Sequence, residues 1–208
     1  MKFFLYPLLL SFFFLPSAVQ AQQKEYAGLD YLHKLEDNRT PGKTSFNKFL
    51  SASATPICLA TPLSLWIVGM IKDNPSLKKN ALYSLESFVI TQALTFGLKE
   101  IINKPRPYEA DPTLNPLRHA KNGSFPSGHT SESFANATAL TLITKKWYVA
   151  VPAYTWAALV GHSRMYLGVH YPADVLGGAL LGTGSAFLSY KINKWLHPEK
   201  KKLKNPND

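Results

Sequence analysis

The chain alternates between long stretches that are almost free of charge and short clusters of charged residues. None of these stretches shows the strict alternation of apolar and polar residues that is typical of a strand. Their length and composition instead predict helices, over residues 49–71, 81–98, 130–144, 147–163 and 175–190. The pattern therefore predicts an all-α bundle of about five long helices.

The N-terminus has the pattern of a secretory signal peptide. Lys2 is followed by the apolar stretch 3–15, and the small residues Val19 and Ala21 precede a predicted cleavage site. The sequence thus predicts a signal peptide over 1–21, with an uncleaved membrane anchor as the alternative. Either way, the polar segment 22–48 is expected in the periplasm, and leucines at helical spacing predict a short surface helix within it.

Lysines cluster at alternate connections between the predicted helices. If the chain starts outside, all of these connections face the cytoplasm, as the positive-inside rule expects. We therefore expect a transmembrane bundle over 49–190 and a basic tail over 191–208. Gly178 and Gly182 predict close contact between two of its helices. A soluble bundle is the alternative, because only 49–71 comfortably reaches the ~20 residues of a membrane span. The lysines in question are Lys72, Lys78, Lys79, Lys145, Lys146, Lys191, Lys194, Lys200, Lys201, Lys202 and Lys204.

The composition excludes several classes of protein. Charged residues make up 17% of the 208 residues, less than the roughly 25% of an average soluble domain, which argues against a disordered charged chain. The single Cys58 excludes a disulfide framework and a cysteine-rich metal centre. The net charge of +10 would permit nucleic-acid binding, but the lysine placement explains it and no nucleic-acid-binding motif accompanies it. We expect a membrane and no nucleic acid as partners.

The remaining polar residues gather at the opposite ends of the same predicted helices. In a bundle, this arrangement brings a surplus of cations to one side, around two histidines and one carboxylate. The residues concerned are Lys99, Arg106, His129, Arg164, His170 and Asp174.

These residue types suit the binding of a phosphate group. An arginine such as Arg106 offers a planar fork that holds two phosphate oxygens. Ser127 and Gly128 precede a helix, where backbone N–H groups and the helix dipole attract anions. Arg118 and Lys121, in the loop before this helix, are further candidates for substrate contact.

The histidines suit a phosphoryl transfer. His170 and Asp174 are four residues apart, so on a helix or its first turn they face each other. The carboxylate can hold one imidazole N–H and leave the other nitrogen free to attack. His129 can then protonate the leaving oxygen.

Three motifs in this region resemble those of the type 2 phosphatidic acid phosphatase (PAP2) family, which are KxxxxxxRP, PSGH and SRxxxxxHxxxD. All three are complete, in order and at the spacing of the family. They read here as Lys99-x6-Arg106-Pro107, Pro126-Ser127-Gly128-His129 and Ser163-Arg164-x5-His170-x3-Asp174.

The resemblance implies hydrolysis of a phosphate ester without a metal ion or other cofactor. It further implies that His170 forms a phosphoenzyme, that Asp174 orients it, and that His129 is the general acid and later activates water. It assigns phosphate binding to Lys99, Arg106, Ser127, Gly128 and Arg164.

The resemblance also implies a range of activities. Membrane members of the family act on lipids such as phosphatidic acid, phosphatidylglycerophosphate, undecaprenyl diphosphate or lipid A, and lipid A is slightly favoured here. We expect an enzyme in a bacterial inner membrane whose site faces the periplasm. The alternatives are a soluble periplasmic acid phosphatase or phosphotransferase, a haloperoxidase, and a membrane protein that keeps the motifs without activity.

Overall fold

The computed structural model describes residues 28–196, and every regular element within this part of the chain is helical. The elements are α1 over 28–37, α2 (Pro41–Ile71), α3 (Pro75–Ile102), the single turn α4 (Pro107–Ala110), α5 (Gly128–Thr144), α6 (Trp147–Tyr166) and α7 (Pro172–Leu196). The predicted all-α bundle with five long helices is confirmed. The predicted signal peptide and most of the predicted basic tail lie outside the described residues.

The long helices extend well beyond the uncharged stretches from which they were predicted. Helix α2 begins at Pro41 rather than at residue 49, with the Thr40 side chain accepting a hydrogen bond from the Lys43 N–H. Helix α3 begins at Pro75 rather than at 81, with Asn74 as its N-cap. An absence of charge marks the apolar part of a helix, whereas caps and prolines at N1 mark where the backbone becomes helical.

Helix α5 is the core of the bundle and packs most closely against α7. Glycines make this approach possible, as predicted from their spacing: a Cβ at Gly178 would lie 2.7 Å from the Ser127 carbonyl oxygen, and one at Gly182 would overlap the carbonyl of Ser131. The bundle therefore joins the start of α5 to the start of α7, where the candidate catalytic residues lie.

Large apolar side chains cover much of the outer surface of the bundle. Phe49, Leu63 and Ile71 on α2 are 66%, 60% and 79% exposed, and Leu180 on α7 is 68% exposed. Helix α2 is long and apolar enough to cross a membrane, and it alone qualifies among the described helices. At 1.5 Å per residue it is about 47 Å long, which exceeds the hydrocarbon thickness of a bilayer. An exposed apolar surface of this extent is typical of contact with a membrane or with another protein.

Candidate active site

His170 and Asp174 form a pair at the start of α7. The Asp174 Oδ2 atom accepts the backbone N–H of Tyr171 at 3.0 Å and the hydroxyl of Ser124. The His170 Nδ1 atom lies 3.4 Å from the same oxygen. Asp174 is fully buried in the first turn of α7, where the helix dipole favours a negative charge. The predicted i, i+4 pair is therefore present, and the carboxylate has the position needed to fix the imidazole.

The other nitrogen of His170 faces a guanidinium group. Nη1 of Arg106 lies 3.4 Å from His170 Nε2 and donates to the Val169 carbonyl at 2.7 Å. Nε and Nη2 donate to the backbone and side-chain oxygens of Asn122, at 3.0 and 2.9 Å. The guanidinium plane is therefore fixed beside Nε2, the nitrogen of His170 that does not face Asp174.

Burial controls the charge of the proposed nucleophile. His170 lies in the connection between α6 and α7 and is 2% exposed. Burial lowers the pKa of His170 well below its ordinary value, and the hydrogen bond to Asp174 acts in the opposite direction. The imidazole is therefore neutral at neutral pH, which is the form that attacks phosphorus.

Two more buried cations face the same cavity. Lys99, in the last turn of α3, donates to the Gly123 carbonyl at 2.6 Å and to that of Ser124 at 3.3 Å. Arg164, near the end of α6, donates through Nη1 to the Ser51 hydroxyl. The buried Nε of Arg164 has no partner within residues 28–196. An unpaired buried donor is costly, and a phosphate oxygen is the kind of acceptor that would satisfy it.

His129 is the second residue of α5 and lines the same cavity as His170. Within the described part of the chain, no hydrogen bond fixes its imidazole. This leaves both ring nitrogens available to a group that enters the cavity, as a general acid requires.

Ser127 is placed differently from its neighbours in the motif. Gly128 lines the cavity, whereas Ser127 is fully buried. The backbone N–H of Ser127 donates to the Asp174 carbonyl at 3.0 Å, and its hydroxyl accepts from Thr130 at 2.9 Å. In this structure Ser127 holds the starts of α5 and α7 together, and a contact of its side chain with phosphate stays a prediction.

The cavity has a volume of about 180 Å³, which is below that of typical pockets for drug-sized ligands and suits a small anionic group. It brings together residues from Thr55 to His170, which are separated by up to 115 positions along the chain. Those predicted from the sequence are Lys99, Arg106, Gly128, His129, Arg164 and His170. Arg118 and Lys121 are exposed and are not among the residues that line it.

Sequence reasoning missed four supporting residues. Ser124 and Asn122, in the loop before α5, hold Asp174 and Arg106, and Lys104 places Nζ 3.6 Å from Asp174 Oδ1. Glu132, one turn after His129, lines the cavity and accepts a hydrogen bond from Thr55 at 2.7 Å. Only Glu132 left a signal in the sequence, as a lone acid within an otherwise uncharged stretch.

Comparison with known proteins identifies the family. A family model described as the PAP2 superfamily matches residues 80–198. The chain belongs to this superfamily. The fold agrees, because the crystal structure of a transmembrane PAP2-type phosphatidylglycerolphosphate phosphatase from Bacillus subtilis aligns with a TM-score of 0.70 and 25% identity, over 94% of this chain and 98% of that one.

Curated PAP2 relatives are phosphatases of lipid phosphates. The chain is 29% identical to undecaprenyl-diphosphatase BcrC of Bacillus subtilis, over 65% of this chain and 67% of the relative. It is 31% identical to lipid A 4'-phosphatase of Bacteroides thetaiotaomicron, over 46% of this chain and 45% of the relative. The alignments therefore span about half to two thirds of these relatives. They confirm the predicted family and enzyme class.

Proposed function

We propose that this protein is a membrane phosphatase that hydrolyses a phosphate on an envelope lipid through a phosphohistidine at His170. One observation carries the proposal: His170 is held between Asp174 and Arg106, at the wall of a cavity that Lys99 and Arg164 also line. This geometry orients a neutral nucleophile toward a site of concentrated positive charge, which is what attack on a phosphate needs.

The chemistry follows from these positions. His170 Nε2 attacks phosphorus, the bond from phosphorus to the lipid oxygen breaks, and His129, which must be in its imidazolium form beside the bound phosphate, donates a proton to that oxygen. Water then attacks the phosphohistidine with His129 as the base, which releases phosphate and restores the imidazole. Negative charge on the transferring group is stabilised by Lys99, Arg106 and Arg164. Because these three cations fill the role that metal ions have in many phosphoryl transferases, we propose that the reaction needs no metal.

A lipid substrate is supported by the surroundings of the cavity. Phe96, which is 54% exposed on α3, is both a lining residue of the cavity and part of the apolar outer surface. A phosphate group can thus enter the cavity while its lipid chains stay against the bundle. The names of the relatives point to undecaprenyl diphosphate, lipid A and phosphatidylglycerophosphate as candidates.

The side of the membrane is proposed from the lysines. The lysines of the α2–α3 and α5–α6 connections and of the end of α7 lie at the end of the bundle away from the cavity, and such lysines favour the cytoplasm. We therefore propose an inner-membrane enzyme whose active site opens to the periplasm.

The test is phosphate release by the full chain, purified in a non-ionic detergent, from these three lipids and from a soluble phosphomonoester, with and without EDTA. We expect release from at least one lipid, faster than from the soluble ester and unchanged by EDTA. Preferred turnover of the soluble ester, together with extraction without detergent, would instead indicate a soluble acid phosphatase.

The matched variants are His170→Ala and His162→Ala. We expect His170→Ala to lose activity by at least about 10³-fold, as removal of a nucleophile does. His162 contacts Tyr166 and is absent from the cavity lining, so its variant should retain activity. Equal activity of the two variants would contradict the proposed nucleophile.

A further inference from the structure

The catalytic cavity continues past His129 toward the middle of the bundle. Lys99, near the end of α3, and His129, at the start of α5, line its outer part. Thr95 lies four residues before Lys99 and Glu132 three residues after His129, so both are about one helical turn further in. We propose that this inner part, the inner subsite, binds a hydroxyl group of the alcohol that carries the phosphate. This assignment rests on the phosphatase activity proposed above, and it makes the substrate a phosphomonoester of a hydroxyl-bearing lipid.

Glu132 offers the inner subsite a hydrogen-bond acceptor. It is 2% exposed and carries the one carboxylate among the described residues that line the cavity. The hydroxyl of Thr55 donates to its Oε1 atom at 2.7 Å, whereas Oε2 accepts no hydrogen bond within residues 28–196. The second oxygen is therefore left for a donor that enters the cavity.

Two polar side chains of α3 add further oxygens. Thr95 Oγ1 and Gln92 Oε1 are buried without a hydrogen bond in the described part of the chain, and both residues line the cavity. Thr95 is itself 2% exposed. A buried oxygen without a partner costs free energy. A hydroxyl group of the substrate can donate to one of these oxygens and accept from the Thr95 hydroxyl, so the subsite fits an alcohol.

A structural role explains the position of Glu132 but not its acid group. Its backbone carbonyl accepts a hydrogen bond from the Cys58 thiol at 3.3 Å, and this contact joins α5 to α2 together with that of Thr55. An amide side chain would serve Thr55 as well, because only one oxygen accepts the hydroxyl. Burying a carboxylate is costly, so a contact between two helices does not by itself require one here.

The proposed chemistry places the leaving alcohol at the inner subsite. His170 and His129 act on opposite sides of phosphorus, because one attacks and the other protonates the leaving oxygen. Glu132 follows His129 on the same face of α5, so the atoms bonded to the leaving oxygen lie beside Glu132. Phe96, next to Thr95, is 54% exposed and leads to the apolar outer surface. From its phosphate to its chains, the lipid thus meets cations, then acceptors, then apolar side chains.

The same carboxylate disfavours a diphosphate substrate. When a diphosphate is cleaved, the leaving group is itself a phosphate and brings negative charge to the inner subsite. Beside Glu132 it meets a like charge, whereas the hydroxyl of a glycerol or sugar unit donates to this residue. A site that hydrogen-bonds a substrate hydroxyl rejects analogues that lack it. We therefore expect glycerol-based or sugar-based lipid phosphates to be hydrolysed faster than polyprenyl diphosphates.

The experiment measures kcat/KM of the full chain in a non-ionic detergent at pH ~8, well above the ordinary pKa of a carboxyl group. One matched pair of substrates is 1-oleoylglycerol 3-phosphate, whose 2-hydroxyl is free, and its 2-O-methyl ether. A second pair is farnesyl phosphate and farnesyl diphosphate. A third pair, phosphatidylglycerophosphate and lipid A, distinguishes a glycerol hydroxyl from a sugar hydroxyl.

The test variants are Glu132→Gln, which keeps an oxygen for Thr55, and Thr95→Val, which removes a buried hydroxyl without a partner. The matched control is Glu100→Gln, because Glu100 is exposed on the same helix as Thr95 and does not line the cavity. The circular dichroism spectrum of each variant checks that it is folded.

We expect the wild type and the control to prefer the free hydroxyl to its methyl ether, and the farnesyl monophosphate to the diphosphate, by at least about tenfold. Glu132→Gln should reduce both preferences to about twofold or less, because it removes the charge and weakens the acceptor. Thr95→Val should reduce the first preference and leave the second unchanged. Glu132→Gln should also slow hydrolysis of the better lipid of the third pair by about tenfold.

Equal rates of the wild type on the hydroxyl and its methyl ether would overturn the inner subsite, as would preferences that Glu132→Gln leaves unchanged or that Glu100→Gln reduces equally. Inactivity of the wild type on all six substrates would instead contradict the phosphatase activity itself, and the subsite with it.

Discussion

The two ends of the bundle both carry several cations, but they hold them in opposite ways. At the catalytic end, Lys99, Arg106 and Arg164 are each at most 5% exposed, and carbonyl or hydroxyl oxygens fix them. At the opposite end, the distal end, Lys145 follows α5 and Lys194 lies in the last turn of α7, and both are exposed. Burying a charge costs several kcal/mol unless it is well paired, so the catalytic end gives up stability to keep three charges in place.

The difference indicates what each end can do. Cations that are already oriented and dehydrated stabilise a transition state without rearrangement. Exposed lysines are mobile point charges, each worth about 1 kcal/mol of attraction to an anionic membrane surface. We therefore expect substitutions at the catalytic end to change the rate of the reaction and those at the distal end to leave it nearly unchanged.

Loss of the orienting carboxylate should have the largest effect among the residues around His170. We expect Asp174→Asn to lower kcat on the order of 10³-fold, because the neutral amide cannot stabilise a positive charge on the imidazole and can hold the ring in the wrong tautomer. Single-turnover kinetics would measure the change. Folding is checked by the circular dichroism spectrum, and a kcat within a few-fold of wild type in a folded variant would show that Asp174 does not orient the nucleophile.

The fixed geometry of the cations is tested by Arg164→Lys and Arg164→Ala. If the fork matters more than the charge, both variants should lower kcat/KM by about 10²-fold. Steady-state rates of phosphate release would measure this. Near-normal turnover by the lysine variant would mean that a mobile charge is sufficient, and the contrast between the two ends would not hold.

The pH dependence tests the buried state of His170. Its pKa is lowered by burial, so the neutral nucleophile persists in acid and activity disappears only as the pH falls through the lowered pKa. We expect the acidic fall of kcat/KM below the ordinary histidine value of about 6.5. The titration of the substrate is followed separately by phosphorus NMR. An acidic fall attributable to the enzyme whose midpoint lies above pH ~6.5 would contradict burial of this imidazole.

The smallest effect on the reaction is expected at the distal end. Lys145→Gln/Lys194→Gln should change kcat/KM for a soluble phosphoester by less than about twofold, because Lys194, which lies 20 residues beyond Asp174 on α7, is about 30 Å away and screened over several Debye lengths. The measurement is the same rate assay. A tenfold loss would show that the distal end is coupled to the chemistry and would remove the distinction drawn here.

The sequence predicted the local features of the site because they depend on short spacings along the chain. The spacing of Gly178 and Gly182 is one helical turn, whereas His170 precedes α7 and meets Asp174 across the turn that opens this helix. The prediction failed for the helix starts at Pro41 and Pro75, where caps rather than charge decide the boundary.

Other parts of the site depend on tertiary contacts that have no local signal. Asn122 and Ser124 lie in an irregular loop, and their roles exist only because the loop packs against Arg106 and Asp174. A second cavity, at the distal end, is likewise formed where the start of α3 meets the ends of α5 and α7.

The amino-acid sequence by itself determined the all-helical class, the family motifs and the pairing of His170 with Asp174, because each follows from order and spacing along one chain. Only the tertiary structure decided that Arg106 faces His170 Nε2 across 64 residues and that the buried Ser127 hydroxyl pairs with Thr130. The physical reason is close packing: α5 and α7 approach through Gly178 and Gly182, and this approach fixes which side chains have room to face the cavity.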